Sequence, residues 1–300
     1  MSQIQKTTLK RYNGTDWDPI HMAGSGDIVQ IGSEFKVMGK DIGAFKNGDT
    51  IKSTDDITSV IKRMLQTRIA ATYTAPKINF TGSQGAGNYE VGTNMNCTLT
   101  ATFTQNDAGA LTSIKINQDG SEIATGTTSP LTHTWTETLG DGSVTFQGVA
   151  NYGDGAIKKD NLGDSSPTGA ITAGSKSATL TYTGIRKAFY GADSTTGNAI
   201  TTSSGIRALT ATAGEVKKGS KFTISVPKGA KKCTIAFKAT IGELAAVTYR
   251  ESGNANITAQ FTKSSVDVEG ANGYTAVPYN VYTVAWAQPA AGSMTFDVVI

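Results

Sequence analysis

The sequence predicts a mainly β protein, in which an N-terminal anchor segment and a short helical stalk precede two β-sandwich domains. Three observations predict this class. Charged residues make up only 17% of the chain, glycine is abundant at 34 residues, and only one stretch has convincing helical periodicity. Few charges with much threonine and glycine favour short strands and tight turns. The 300 residues divide by pattern into an anchor (1–25), a linker with a helix (26–71), an immunoglobulin (Ig)-like β-sandwich (72–184) and a C-terminal β-sandwich or jelly-roll-like domain (185–300).

The anchor carries the stretch LKRYNGTDWDPIHM, residues 9–22, which concentrates apolar side chains in a segment too short to form a core. The pair Asn13-Gly14 predicts a turn that brings Tyr12 and Trp17 near each other. Aromatic side chains are favoured anchors at protein interfaces. We therefore expect this segment to dock on a partner protein. The candidate docking residues are Arg11, Tyr12, Trp17, Asp18, Pro19 and Ile20.

The helix is predicted in KSTDDITSVIKRMLQTRIA, residues 52–70. Ser53 or Thr54 is suited to cap it, and Asp55 and Asp56 would lie at its positive end. The apolar spacing predicts a helix of about four turns with one apolar face. Such a helix must bury that face, either in a trimeric bundle or against its own domain. The candidate trimerisation residues are Ile57, Val60, Ile61, Met64, Leu65 and Ile69.

The next region reads as regularly spaced strands. In residues 95–104, Cys97, Leu99, Ala101 and Phe103 alternate with threonines, which predicts one buried face. The pair Asp119-Gly120 predicts a hairpin. These strands indicate an Ig-like sandwich, although the Cys–Trp–Cys signature of antibody domains is absent. Both cysteines, Cys97 and Cys233, are expected to be small buried side chains.

Further strands follow to the end of the chain, with short helical turns predicted at residues 205–209 and 241–247. Strand aromatics in this domain are candidates for stacking on sugars, although alternation implies that about half of them face the core. The candidate surface-contact residues are Tyr249, Tyr279, Tyr282 and Trp286.

Catalytic and cofactor chemistry has little support in the sequence. The chain has two histidines, His21 and His133, with no nucleophile placed beside either. Three loop carboxylates, Asp154, Asp160 and Asp164, either bind a cation or are simply solvated. The net charge of +3 is scattered, unlike the clustered charge of a nucleic-acid-binding face. We expect no enzyme activity, no catalytic residues, no metal or cofactor, no nucleic-acid partner and no membrane insertion.

Three stretches resemble virion appendage proteins of bacteriophages. The segment at residues 9–22 is similar to N-terminal segments of phage head- and tail-fibre proteins. The stretch KDIGAFKNGDTIKSTDDITSVIKRML, residues 40–65, is similar to a linker in fibres of gut phages, including crAss-like phages. The stretch VEGANGYTAVPYNVYTVAWAQPAAGSMTFDVVI, Val268–Ile300, resembles a C-terminal β-domain of the same proteins.

The resemblance implies a modular appendage on the outside of the virion, assembled in the host cytoplasm. Its parts would be a virion anchor, a trimerising stalk, an Ig-like spacer and a distal β-domain facing the host. We expect a homotrimeric head fibre that docks to capsid or tail proteins through its N-terminus and adheres to host-surface glycans. The alternatives are a tail-fibre or baseplate receptor-binding protein, a purely structural capsid decoration, or an enzyme that cleaves surface polysaccharide.

Overall fold

The computed structural model describes residues 9–12, 17–20, 33–195 and 199–300. Strands account for 48% of the described residues and helices for 10%, which confirms the mainly β class. The chain divides into two compact units. The first comprises Met1–Lys77, Thr104–Thr112 and Asn151–Ser175, and the second comprises Ile78–Phe103, Ser113–Ala150 and Lys176–Ile300.

Short elements precede the sandwiches. They are strands β1 (Leu9–Tyr12), β2 (Trp17–Ile20), β3 (Phe35–Lys36) and β4 (Thr50–Ile51), and helix α1 (Ile57–Leu65). The strands form two antiparallel pairs, β1 with β2 and β3 with β4.

Helix α1 is shorter than the apolar spacing predicted. It has nine residues and ends at Leu65, since Gln66 has the extended backbone angles φ −122° and ψ 137°. Ile69 therefore lies outside the helix. The prediction of the cap was also wrong: Asp56 caps the helix, its carboxylate accepting a 2.8 Å hydrogen bond from the Ser59 amide. That hydrogen bond is the main cause of the lowered pKa of Asp56.

The Ig-like sandwich consists of a three-stranded and a five-stranded sheet with the strand orders β10-β7-β5 and β6-β12-β11-β8-β9. The strands are β5 (Lys77–Gly82), β6 (Gly87–Glu90), β7 (Asn94–Thr104), β8 (Leu111–Gln118), β9 (Ser121–Gly126), β10 (Leu131–Thr138), β11 (Gly142–Tyr152) and β12 (Gly174–Ile185).

The sequence patterns hold in this sandwich. Cys97, Leu99 and Ala101 are buried along β7, as their alternation predicted, whereas Phe103 near the end of the strand is only half-buried. Asp119 and Gly120 join β8 to β9 with positive φ angles of 48° and 86°, a conformation that favours the Asp-Gly pair.

Three aromatic side chains pack together in the core of the sandwich. The ring of Trp135 lies 4.8 Å from that of Phe146 and 5.3 Å from that of Tyr182. The hydroxyl of Tyr182 donates to the carbonyl of Gln84 at 2.8 Å and lies 3.3 Å from the sulfur of Cys97. Burial raises the pKa of Tyr182 well above its ordinary value. Cys97 is free and buried, as predicted.

The C-terminal sandwich has a five-stranded sheet, β14-β13-β16-β20-β19, and a four-stranded sheet, β15-β21-β17-β18. Its elements are β13 (Lys187–Asp193), α2 (Ser203–Arg207), β14 (Ala211–Glu215), β15 (Lys221–Val226), β16 (Lys232–Lys238), β17 (Ala246–Tyr249), β18 (Ala255–Asn256), β19 (Thr262–Val268), β20 (Val277–Ala285) and β21 (Met294–Val299). Helix α2 overlaps the first predicted helical turn. The prediction of a second turn at residues 241–247 was wrong for most of its length, because a 3-10 helix ends at Ile241 and β17 begins at Ala246.

The five-stranded sheet is buried on both faces. Phe237, Tyr282 and Val284 belong to the main core, which also contains Phe296 of the opposite sheet. On the other face, Phe189 and Tyr279 pack in a second cluster together with Ile206 of α2. The central strand β16 is consequently buried along nearly its whole length. Cys233 lies in this strand, and burial raises its pKa to about 12.

Candidate functional site

In the part of the chain that the structure describes, large exposed apolar side chains are confined to the first unit. Among the described residues, the large hydrophobic side chains that remain exposed are Met38, Ile42, Ile61, Met64, Leu65, Ile69 and Ile157. All seven belong to the segments of the first unit. The described surface of the second unit, which holds most of both sandwiches, has none. Confinement of such residues to one region is typical of interaction surfaces.

Helix α1 contributes three of these seven residues. Ile61, Met64 and Leu65 are 50%, 44% and 80% exposed, whereas Val60 is 6% exposed. Val60 packs with Val37, Phe45 and Ile51 in a small local core. Each of the two alternatives for this helix therefore describes part of it. Val60 packs on its own unit, whereas Ile61, Met64 and Leu65 remain exposed to solvent. Ile57 is half-buried.

The segment after α1 is fixed to the loop between β11 and β12. The amide of Ile69 donates to the side chain of Asn161 at 2.7 Å. The guanidinium of Arg68 donates to the carboxylate of Asp160 at 2.5 Å and to the carbonyl of Ser165 at 2.6 Å. These bonds explain why the helix stops early, because they hold the backbone in an extended conformation. Ile69 is left 67% exposed.

The three loop carboxylates that were candidates for cation binding are engaged by protein groups. The side chain of Asp160 is fully buried, and burial acts to raise its pKa. Hydrogen bonds from Arg68 and from two backbone amides outweigh the effect of burial, so the pKa of Asp160 is lowered. Asp164 pairs with Arg63, and Asp154 accepts from the amide of Ala173 at 2.6 Å. Across the described residues, no group of three or more His, Cys, Asp or Glu side chains is arranged to hold a metal ion.

The predicted docking residues lie in the hairpin of β1 and β2. The register places Tyr12 opposite Trp17 and Arg11 opposite Asp18. Ile20 lies opposite Leu9, and Pro19 opposite Lys10. The backbone therefore brings the two aromatic positions together, as the predicted turn requires. His21 and residues 13–16 lie outside the described residues.

Half of the predicted surface aromatics are buried. Tyr279 is 2% exposed and Tyr282 is 6% exposed, so neither can contact a host surface. Their hydroxyls are used internally: Tyr279 donates to the carbonyl of Lys187 at 2.9 Å, and Tyr282 donates to Glu243 at 2.6 Å. Burial raises the pKa of Tyr279 to about 12. Tyr249 and Trp286 are half-buried against the main core.

The two sandwiches meet within the second unit through a polar junction. Arg186 alone separates β12 from β13, and its side chain is only 4% exposed. It donates two hydrogen bonds to Asp141, at 3.1 and 2.8 Å, and one to the carbonyl of Thr275 at 2.8 Å. This pairing lowers the pKa of Asp141 and raises that of Arg186, mainly through the hydrogen bonds. Its guanidinium also lies 5.5 Å from the ring centre of Tyr274.

Further contacts close the junction. Glu90 of the Ig-like sandwich pairs with Arg207 of α2 and with Lys187, the latter at 3.4 Å. The amide of Ala271 donates to the carbonyl of Val91 at 2.8 Å, and the side chain of Asn272 donates to the carbonyl of Gly92 at 2.9 Å. Because charged, backbone and aromatic contacts all span the junction, the sandwiches are fixed relative to each other.

A cleft of about 400 Å³ opens beside Arg186. The Ig-like sandwich contributes Asp141, Gly142, Thr183 and Gly184 to its lining, and the C-terminal sandwich contributes Glu215, Val216, Lys217, Lys218, Lys238, Thr240 and Ile241. Sequence reasoning missed this cleft, because its residues come from separate segments without any shared local pattern.

Comparison with known proteins identifies one part of the chain. Residues 71–147 match the family model of the bacterial Ig domain. The match covers strands β5 to β10 and the start of β11, and it agrees with the sandwich observed there. No curated protein and no solved structure matches the chain. Within the described residues, none of the helices has both the length and the apolar character needed to span a membrane.

Proposed function

We propose that the chain is a structural subunit of a bacteriophage virion, most simply a trimeric head fibre. Its N-terminal region would assemble the trimer and dock it to the particle, while the β-sandwiches are exposed to the host surface. The observation that carries the proposal is the distribution of exposed apolar side chains, which lie in the first unit among the described residues.

This distribution matches a protein that is attached at one region and displayed at another. Surfaces that remain in water are expected to lack clustered apolar side chains, whereas surfaces that become buried on assembly carry them. The Ig-like fold adds support, since such sandwiches commonly serve as spacers and binding modules. The resemblance of the N-terminal, linker and C-terminal stretches to phage fibre proteins supplies the virion location.

Docking to the particle is tested with a double variant in the hairpin, Tyr12→Ala with Trp17→Ala, in the full-length chain. We expect the variant to keep its oligomeric state but to lose co-sedimentation with particles that lack the native protein. Lys36→Ala, at an exposed position in β3, is the control and should decorate particles normally. Decoration by the double variant at the level of the unmodified protein would refute docking through these residues.

A further inference from the structure

We propose that the cleft beside Arg186 binds an anionic saccharide, one that carries carboxylate, sulfate or phosphate groups. The inference extends the proposed function by naming the ligand class of the displayed sandwiches, and it rests on that function only for its biological setting. The charge, hydrogen-bonding groups, shape and rigidity of the cleft support this assignment.

The cleft has an excess of positive charge. Four cationic side chains line it, Arg186, Lys217, Lys218 and Lys238, against the two carboxylates of Asp141 and Glu215, which leaves a surplus of two positive charges. The carboxylates are already engaged: Asp141 pairs with Arg186, and Glu215 lies 3.4 Å from the ammonium of Lys217.

Two of the cleft lysines have no carboxylate of their own. Lys218 and Lys238 form no ion pair with any of the described residues, although Lys238 lies close enough to Asp141 to contribute to its lowered pKa. Ammonium groups that stand at a concave surface without a paired carboxylate are suited to bind an anion. An anionic ligand would pair with these two ammonium groups.

The remaining lining groups suit a hydroxylated ligand. Thr183 and Thr240 contribute hydroxyls, and Val216 and Ile241 are the apolar side chains present. Among the described residues, no aromatic ring lines the cleft, so neither base stacking nor sugar stacking contributes there. Binding must therefore depend on charge and hydrogen bonds, which favours an acidic saccharide over a neutral one and over single-stranded nucleic acid.

Size and rigidity agree with a small-ligand site. The volume of about 400 Å³ lies in the lower part of the range for small-ligand pockets, roughly 300–1,000 Å³. Gly184 is buried, and a Cβ there would lie 1.8 Å from the carbonyl oxygen of Gly140, so the backbone of β12 packs tightly against the segment between β10 and β11. A wall formed by a fixed junction loses little entropy on binding.

The test measures binding of full-length protein to immobilised oligosaccharides by biolayer interferometry at about 0.1 M salt, where the screening length is about 10 Å. The probes are a sulfated heparin-derived oligosaccharide, a uronate oligosaccharide from polygalacturonate, a neutral glucose oligosaccharide and a single-stranded DNA decamer. We expect binding to at least one acidic oligosaccharide, weakening as salt rises, and little binding to the neutral one.

The double variant Lys218→Glu with Lys238→Glu should weaken acidic-saccharide binding by about tenfold or more, because each change removes an attraction and adds a repulsion. The control is Lys228→Glu, which makes the same type of charge change at an exposed turn outside the cleft and should change binding less than about twofold. Circular dichroism and light scattering verify that the variants keep their fold and oligomeric state.

Several results would overturn the proposal. They are absence of binding to both acidic probes, unchanged binding by the double variant, an equal loss in Lys228→Glu, or equally tight binding of the DNA decamer. None of these affects assembly, which light scattering reports separately, so failure of the ligand assignment is distinguishable from failure of the proposed function.

Discussion

Replacing two exposed residues of α1, in the double variant Ile61→Gln with Leu65→Gln, should dissociate the assembled protein without unfolding the subunit. Glutamine is a good helix former, so α1 itself should persist. Ile61 and Leu65 are 50% and 80% exposed in the single chain, and neither belongs to the local core that contains Val60. The subunit's free energy of unfolding should therefore change by less than about 0.5 kcal/mol.

The effect on assembly follows from the area that remains to be buried. Complete burial of a leucine or isoleucine side chain stabilises by about 1.5–3 kcal/mol. Scaled by the exposed fractions, the two residues would contribute about 2.5 kcal/mol per chain and about 8 kcal/mol per trimer. The trimer dissociation constant should rise by about 10⁵–10⁶. Because that constant has units of concentration squared, the concentration of half-assembly should rise about a thousandfold.

The assay is light scattering coupled to size-exclusion chromatography, across a dilution series from tens of micromolar to nanomolar protein. The control variant is Lys62→Gln, an exposed position on the same helix outside the apolar set, which should assemble as the unmodified protein does. A monomeric unmodified protein at tens of micromolar would refute the trimer. Unchanged assembly of the double variant would show that α1 is not the interface.

Two predictions concern packing and pH. Gly184→Ala should destabilise the second unit by several kcal/mol, since its Cβ would collide with a backbone carbonyl oxygen at 1.8 Å. The control is Gly214→Ala, whose Cβ would have its nearest contact at an ordinary 3.9 Å. Equal melting temperatures for both variants would contradict the reasoning. The Asp160–Arg68 pair should hold the segment after α1 above pH 4 and release it as the pH falls. The pKa of Asp160 in the folded chain is lowered from 3.8, so the stabilisation is fully present above pH 3.8. It is lost as the pH falls through the pKa of the folded chain. Hydrogen exchange of residues 67–74, corrected for intrinsic rates, should accelerate below pH 4 but change little in Arg68→Met, which lacks the ion pair at every pH; identical pH dependence in both proteins would contradict this role.

The sequence predicted elements whose determinants are local. Alternation along β7 identified Cys97, Leu99 and Ala101 as buried, since one face of that strand packs on the core. The Asp119-Gly120 pair identified a hairpin because only a few residue types favour positive φ at both positions. The register of β1 and β2 pairs Tyr12 with Trp17, while the turn expected at Asn13-Gly14 lies outside the described residues.

The failures have a common cause in tertiary contacts. Helical spacing extended to Ile69, but the amide of Ile69 donates to Asn161 and the guanidinium of Arg68 donates to Asp160, and these bonds hold that segment outside the helix. The candidate aromatics of β20 were ambiguous because that strand is covered on both faces, and alternation cannot then separate exposed from buried positions. The residues that line the cleft come from segments far apart in the sequence, and no rule of sequence spacing predicts which of these segments come together.

The single residue between β12 and β13 has a mechanical consequence. With Arg186 buried and ion-paired, the one-residue connection between the two sandwiches is held by contacts with both of them. Drag or contact force on one sandwich is therefore passed to the other as torque, not absorbed by swivelling. The two sandwiches should tumble in solution with one rotational correlation time. A ligand bound in the cleft would rotate together with both of them.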